Sequence, residues 1–258
     1  MTPSPLLRHP APSRPCPGLS PAIETLLPPG SARPVALRSV RRGEVLYRWG
    51  DPFSHLFRVQ VGSFKSVWLG PEGRQQVMGF HLPGELLGLD GLGRPSHACE
   101  ALALEDSVVW LLPNAPWRDP SQQAQWQQTL CDALAQTQQL VFMLGSTPAS
   151  GRLASFLLDL GLRLRRQGFS ASRISLRMSR EDIGSYLGLT VETISRLFSR
   201  LDQSGVLRVQ RRDIQVLNLA VLQQLSQGPR RQPTEATTPS PAHAAEPGPS
   251  SASQASAW

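Results

Sequence analysis

The residues best equipped for chemistry in this 258-residue chain are Glu192, Ser195 and Arg196, within the run VETISRLFSR. An arginine can bond bidentately to a guanine edge in the major groove of DNA, and a carboxylate can accept from the amino group of cytosine. Glu192 and Arg196 are four positions apart, so on a helix both point into one groove. The competing reading is an ordinary i,i+4 surface ion pair, worth only ~0.2–0.5 kcal/mol. Their surroundings favour base reading. The segment SREDIGSYLGLTVETISRLFSR, Ser179 to Arg200, divides into two short amphipathic helices hinged at Gly188-Leu189. Ser179 can cap the first, with Asp182 in a capping-box position, and Ile183, Tyr186 and Leu187 form its inward stripe. Thr190 can cap the second, where Ile194, Leu197, Phe198 and Leu201 recur at helical spacing and face the core. Glu192, Ser195, Arg196, Ser199 and Arg200 remain on the other side. This is a helix-turn-helix for double-stranded DNA, whose second helix enters the major groove. Ser179, Arg180, Thr190, Thr193, Ser199 and Arg200 are the expected backbone contacts.

A basic hairpin follows. Gly205 closes the second helix, Val206 to Val209 and Ile214 to Leu217 read as strands, and Gln210-Arg211-Arg212-Asp213 is the turn. Beside a helix-turn-helix this hairpin is a wing, with Arg211 and Arg212 placed to meet phosphate. Between Gly151 and Arg231 there are 14 arginines and 6 acidic residues, net +8, which leaves −1 elsewhere against the whole-chain +7. The basic surplus is confined to one region, as an electrostatic footprint on nucleic acid should be.

The stretch DIGSYLGLTVETISRLFSRLDQSG carries an E-x-x-S-R pattern as Glu192, Ser195 and Arg196. Here the chain resembles the FNR branch of the cyclic AMP receptor protein/FNR transcription factors. The resemblance continues through GFHLPGELLGLDGLG (Gly79 to Gly93) and RLASFLLDLGLRLRRQGFS (Arg152 to Ser170), and covers roughly residues 35 to 225. It implies an operator of two inverted TTGAT-like half-sites read by a homodimer. Arg196 would read the guanine, Glu192 the opposite strand and Ser195 a thymine. It also implies a contact with RNA polymerase during activation, for which the loop Leu87-Gly88-Leu89-Asp90 stands in the corresponding place.

The elements that must position this reader are also legible. Between about Val35 and Pro113, short apolar runs alternate with turns at Gly43, Gly50-Asp51, Gly62, Gly73 and Gly84, the spacing of a sandwich or barrel. The resemblance makes this a β-roll of cyclic-nucleotide-binding type. From Ser121 the pattern turns helical, and Leu130, Leu134, Thr137, Val141 and Leu144 repeat at spacings of four, three, four and three. That is a coiled-coil seam, and the absence of charge from Ala133 to Gly151 spares two parallel copies a like-charge penalty. The alternative is a helix packed on its own β-roll. The helix should stop near Gly145, with Ser146 or Thr147 before Pro148 as the next N-cap and an interdomain hinge.

The fold class expected is α+β: an N-terminal cyclic-nucleotide-binding-like β-roll, a long dimerisation helix and a C-terminal winged helix-turn-helix. The divisions are 1–34, a disordered arm with ten prolines; 35–120, the β-roll; 121–146, the dimerisation helix; 147–226, the DNA-binding domain; and 227–258, a disordered Pro/Ser/Ala/Gln-rich tail. With no secretory h-region and no apolar run near 18 residues, a soluble cytoplasmic protein with no membrane partner is expected.

Other chemistries are weaker. The FNR-type [4Fe–4S] cluster needs four thiolates, whereas this chain has only Cys16, Cys99 and Cys131, and the resemblance places Trp110 where the β-roll cysteine belongs. No metal site is expected, and Cys99 and Cys131 read as buried small hydrophobes. Gly84, Glu85, Arg94 and Ser96 resemble part of a nucleotide phosphate cassette and form the candidate effector pocket, with Pro95 interrupting it. Cyclic nucleotide, or haem on His55, His81 or His97, is therefore an alternative to the main expectation of no cofactor. No nucleophile–base pair, phosphate loop or metal-ligand spacing points to an enzyme, and no catalytic residues are expected.

Overall fold

The computed structural model describes residues 36–70, 72–113, 120 and 123–227. The proline-rich arm, the tail and Cys16 lie outside the described residues.

Two four-stranded antiparallel sheets form the β-roll. In the first, β1 (Ala36–Val40), β8 (Ser107–Pro113), β3 (His55–Val61) and β6 (Leu86–Leu87) lie side by side in that order. In the second, the order is β2 (Val45–Tyr47), β7 (Glu100–Ala103), β4 (Phe64–Leu69) and β5 (Gln75–His81). Inward residues of both sheets, among them Val40, Phe57, Val59, Phe64, Ala101 and Val109, make one buried core. Gly62 turns β3 into β4 with φ +87°, and a Cβ there would lie 2.1 Å from Ser107 Oγ, so both torsion and space require glycine.

Helix α1 (Gln123–Ser146) ends one residue past Gly145, and α2 (Ala149–Arg166) follows. The joint differs in one detail from the sequence expectation. Pro148 itself is the N-cap and makes no side-chain cap bond, while the Ser146 hydroxyl donates back to Phe142 O at 2.6 Å. Trp126, near the start of α1, is buried with Leu56 and Leu112 and anchors the helix to its own β-roll.

The C-terminal domain comprises α2, β9 (Arg173–Ser175), α3 (Arg180–Leu187), α4 (Val191–Gln203), β10 (Leu207–Gln210), β11 (Asp213–Val216) and α5 (Leu219–Ser226). Strand β9 pairs with β11, so the expected two-stranded wing is a three-stranded sheet. Its core of Leu153, Leu157, Ile174, Ile183, Ile194, Leu207, Ile214 and Leu222 is continuous with Val67, Val77 and Phe80 of the β4–β5 hairpin. Each such side chain contributes ~1.5–3 kcal/mol relative to exposure.

Candidate nucleic-acid interface

Local hydrogen bonding builds the helix pair as its sequence requires. The Ser179 hydroxyl accepts from the Asp182 amide at 3.0 Å, and the Ser179 amide donates to Asp182 Oδ2 at 2.8 Å, closing a capping box. Gly188 ends α3 in the left-handed conformation, φ 62°. The Leu189 amide then donates to Gly184 O at 2.9 Å, and a Cβ on Gly184 would stand 2.7 Å from Leu189 O. Gly184 therefore sets how closely the turn folds onto α3, a role that its position inside a helical pattern does not reveal. Thr190 caps α4 by accepting from the Thr193 amide at 3.2 Å.

Helix α4 buries Ile194, Leu197, Phe198 and Leu201 and exposes Glu192, Ser195, Arg196, Ser199 and Arg200. Glu192 makes no ion pair within 4 Å with Arg196. Its carboxyl is held below the usual range first by its own backbone amide, then by the Thr190 hydroxyl, with Arg196 adding an attractive charge. The carboxylate is ionised and outward, and Arg196 is free to turn towards another acceptor. Ser199 donates to Ser195 O at 3.1 Å. The hydroxyls of Ser179 and Thr190 serve the caps, so a phosphate would meet these helix ends mainly through backbone amides.

Arg180 is placed differently from the phosphate-facing position expected of it. Its guanidinium lies 3.5 Å over the centre of the Phe198 ring, and Nη2 donates to Arg211 O at 3.4 Å. Burial lowers its pKa. The cation–π contact accounts for this inward turn: the aromatic face offers a partly buried guanidinium an attractive site. In the wing, Gln210 pairs with Asp213 across the tight turn, where Arg211 has φ 55°, and Arg211 and Arg212 are exposed. The Val209 amide donates to Asp202 Oδ1 at 2.8 Å, tying the wing to α4. Arg173 and Arg208 flank Gln215 across the same sheet and add two cations that the sequence reading did not single out.

The β-roll departs further from expectation. Glu85 is not free to line an effector pocket. Its carboxylate accepts from Arg163 of α2 at 2.5 and 2.8 Å and from the Leu82 amide at 3.0 Å. Arg94 is exposed, Ser96 bridges Pro52, and the Gly84 amide donates to Val59 O at 2.7 Å. The loop Leu87-Gly88-Leu89-Asp90 is not an exposed surface: Leu87 and Gly88 are buried. Asp90 accounts for this, turning inward to accept from the Ala98 and Cys99 amides at 2.8 and 2.9 Å and from the Tyr47 hydroxyl at 3.2 Å. His97 is buried and stacked on Tyr47 at 3.8 Å, and His81 Nε2 sits 3.1 Å from Ser66 Oγ. Among the described cysteines, Cys99 is half-buried with its thiol pushed up to about 11 by burial and then by Asp90, whereas Cys131 is exposed on α1 rather than buried. Trp110 fills β8 as a buried side chain. This donor set does not fit a cysteine-ligated cluster, and among the described residues no group of three or more His, Cys, Asp or Glu could hold a metal ion. No helix of the described residues is long and apolar enough to cross a membrane.

Comparison with known proteins agrees with this geometry. The sequence model of the Crp-like helix-turn-helix domain matches residues 151–225, and that of the cyclic nucleotide-binding domain matches residues 37–123. The chain is 41% identical over 192 residues to the transcriptional regulatory protein btr of Bordetella pertussis, covering 72% of this chain and 79% of that protein. It is 37% identical over 196 residues to the transcriptional activator protein anr of Pseudomonas aeruginosa, covering 74% and 80%. The structure of FixK2 from Bradyrhizobium japonicum superposes with a TM-score of 0.68 at 33% identity, over 74% of this chain and 96% of that one. A β-roll carrying a winged helix-turn-helix, matched at these levels, makes this chain a DNA-binding transcriptional regulator of the Crp/Fnr family.

Proposed function

We propose that the chain acts as a homodimer on an FNR-like inverted repeat, with Arg196 reading guanine, Glu192 the opposite strand and Ser195 a thymine. The observation that carries this reading is the composition of the outward face of α4: a cation, a carboxylate and a hydroxyl, none paired with another. Arg200, Arg211 and Arg212 supply phosphate contacts around it. Dimerisation is supported by α1, where Leu130, Leu134 and Val141 are 41%, 60% and 65% exposed and Thr137 is also outward. Phe142 extends this apolar strip, while Leu144 is half-buried near Gly188 and belongs partly to the interdomain joint. The helix thus holds its own roll through Trp126 and offers a second surface further along.

In this reading the regulator works without a cysteine-ligated [4Fe–4S] cluster, since three cysteines cannot supply four thiolates. No cyclic nucleotide or haem is required either: Glu85 is committed to Arg163, and His97 is packed in the Tyr47–Asp90 cluster. Contact with RNA polymerase belongs to the same proposal, made through surfaces other than the inward-turned Asp90 loop. A DNA-binding role also implies the cytoplasm.

Fluorescence anisotropy of aerobically purified, chelator-treated protein on an inverted TTGAT duplex, a single half-site and a scrambled duplex tests this proposal. Tightest binding to the inverted repeat, with two chains per duplex, is expected. Equal affinity for all three at matched salt overturns it.

A further inference from the structure

The β4–β5 hairpin lies against the first helix of the helix-turn-helix. Lys65 Nζ stands 2.5 Å from Asp182 Oδ1, with the two side chains 22% and 12% exposed. Asp182 is the same residue whose Oδ2 closes the capping box with the Ser179 amide. One carboxylate therefore links the β-roll through one oxygen and the N-terminus of α3 through the other. Burial opposes its charge, but hydrogen bonds from Lys65 and Ser179 outweigh burial and hold the carboxyl below its ordinary range. The Val77 amide donates to Ser185 Oγ at 2.9 Å, the Gln76 amide group bonds Ser185 O, and Phe80 packs on Tyr186 with ring centres 5.3 Å apart. Leu189 O rests against Gly184, so the turn holds α4 close to α3.

Composition adds an independent observation. Of 26 basic residues, 25 are arginine, and Lys65 is the only lysine. An arginine fork would engage both carboxylate oxygens and compete with the cap, whereas a compact ammonium needs one.

We propose that Lys65 is a positioning residue for DNA recognition, acting through Asp182 to hold the helix-turn-helix against the β4–β5 hairpin in the orientation that presents Glu192, Ser195 and Arg196. The proposal rests on base reading by α4. With the clamp intact, the β-roll sets the binding-ready orientation. Without it, the domain samples other orientations and only a fraction of molecules is competent.

The test uses the full chain as wild type, Lys65→Met, Asp182→Asn and the double variant. Each single change should weaken binding to the inverted-repeat duplex about tenfold, by lowering the competent fraction, and the double should be no weaker than either single. Unchanged affinity, or losses that simply add, overturns the proposal. A second readout needs no DNA. Lys65 carries the only ε-amine, so Nε-acetylation by N-hydroxysuccinimidyl acetate reports on it alone. The amine displaces N-hydroxysuccinimide from the ester carbonyl and loses a proton. Held against Asp182, the Lys65 side chain is only 22% exposed, so Asp182→Asn, which releases it, should speed acetylation several-fold, and equal rates overturn the clamp. Failure of the wild type to prefer the inverted repeat would instead count against the operator reading, which this second readout leaves untouched.

Discussion

Replacing both Leu134 and Val141 by glutamate should convert the protein to a monomer while leaving the single-chain fold intact. The two side chains are 60% and 65% exposed in one chain, so they contribute little to its own core. In a homodimer four of them leave water. Full burial of such a side chain is worth ~1.5–3 kcal/mol, and about three-fifths of each is still available, so the four together contribute ~4–7 kcal/mol. Removing that term raises the dimer Kd on the order of a thousandfold or more. Facing glutamates in a stretch that carries no charge from Ala133 to Gly151 add repulsion to this loss. Sedimentation equilibrium at micromolar concentration should show a wild-type dimer and a monomeric variant, with the variant's far-ultraviolet circular dichroism retained. A variant that sediments as the wild type does, or a monomeric wild type, would refute the seam.

Further outcomes follow from the same geometry. Gly184→Ala should lower stability by ~1–3 kcal/mol, because its Cβ meets Leu189 O and neither backbone can yield cheaply; a thermal melt checks this, and an unchanged midpoint would mean that the turn relaxes. His81 is held at about 4 by burial, against an ordinary 6.5, so its neutral form stabilises the fold. That contribution is complete above about pH 6.5 and is lost as pH falls towards 4; His81→Gln should flatten the stability profile in this window. Arg211→Ala should weaken all duplexes alike and reduce the magnitude of the salt slope by about 2 on the inverted repeat, one phosphate contact being lost from each chain of the dimer.

Features governed by neighbours in sequence were legible before the structure. Ser179, Gly188 and Thr190 act within a few residues of themselves, so side-chain type and spacing identify the two helices of the reader and its outward face. The alternation of short strands and turns likewise reveals the β-roll. What could not be read depends on partners far along the chain. Asp182 looks like a cap residue alone, and its link to Lys65 spans 117 positions. Glu85 resembles a ligand residue until Arg163, 78 positions away, occupies it. The Leu87 to Asp90 loop reads as exposed because glycines mark turns, yet Asp90 is drawn inward by amides of a later segment. Arg180 carries a charge that suits phosphate, but the face of Phe198 competes for it. Strand β9 is only three residues long, too short for its single polar–apolar–polar alternation to stand out; it exists because β11 offers an edge.

The most direct measurement is the base discrimination of Arg196. Anisotropy titrations of wild type and Arg196→Ala on the inverted repeat, on duplexes changed at the half-site guanine and on scrambled DNA, all at one salt concentration, isolate it. Loss of ~1–3 kcal/mol of specific binding per half-site is predicted, with preference relaxed at the guanine position of each half-site and scrambled-duplex affinity nearly unchanged. An Arg196→Ala protein that still distinguishes the guanine as the wild type does would contradict the account.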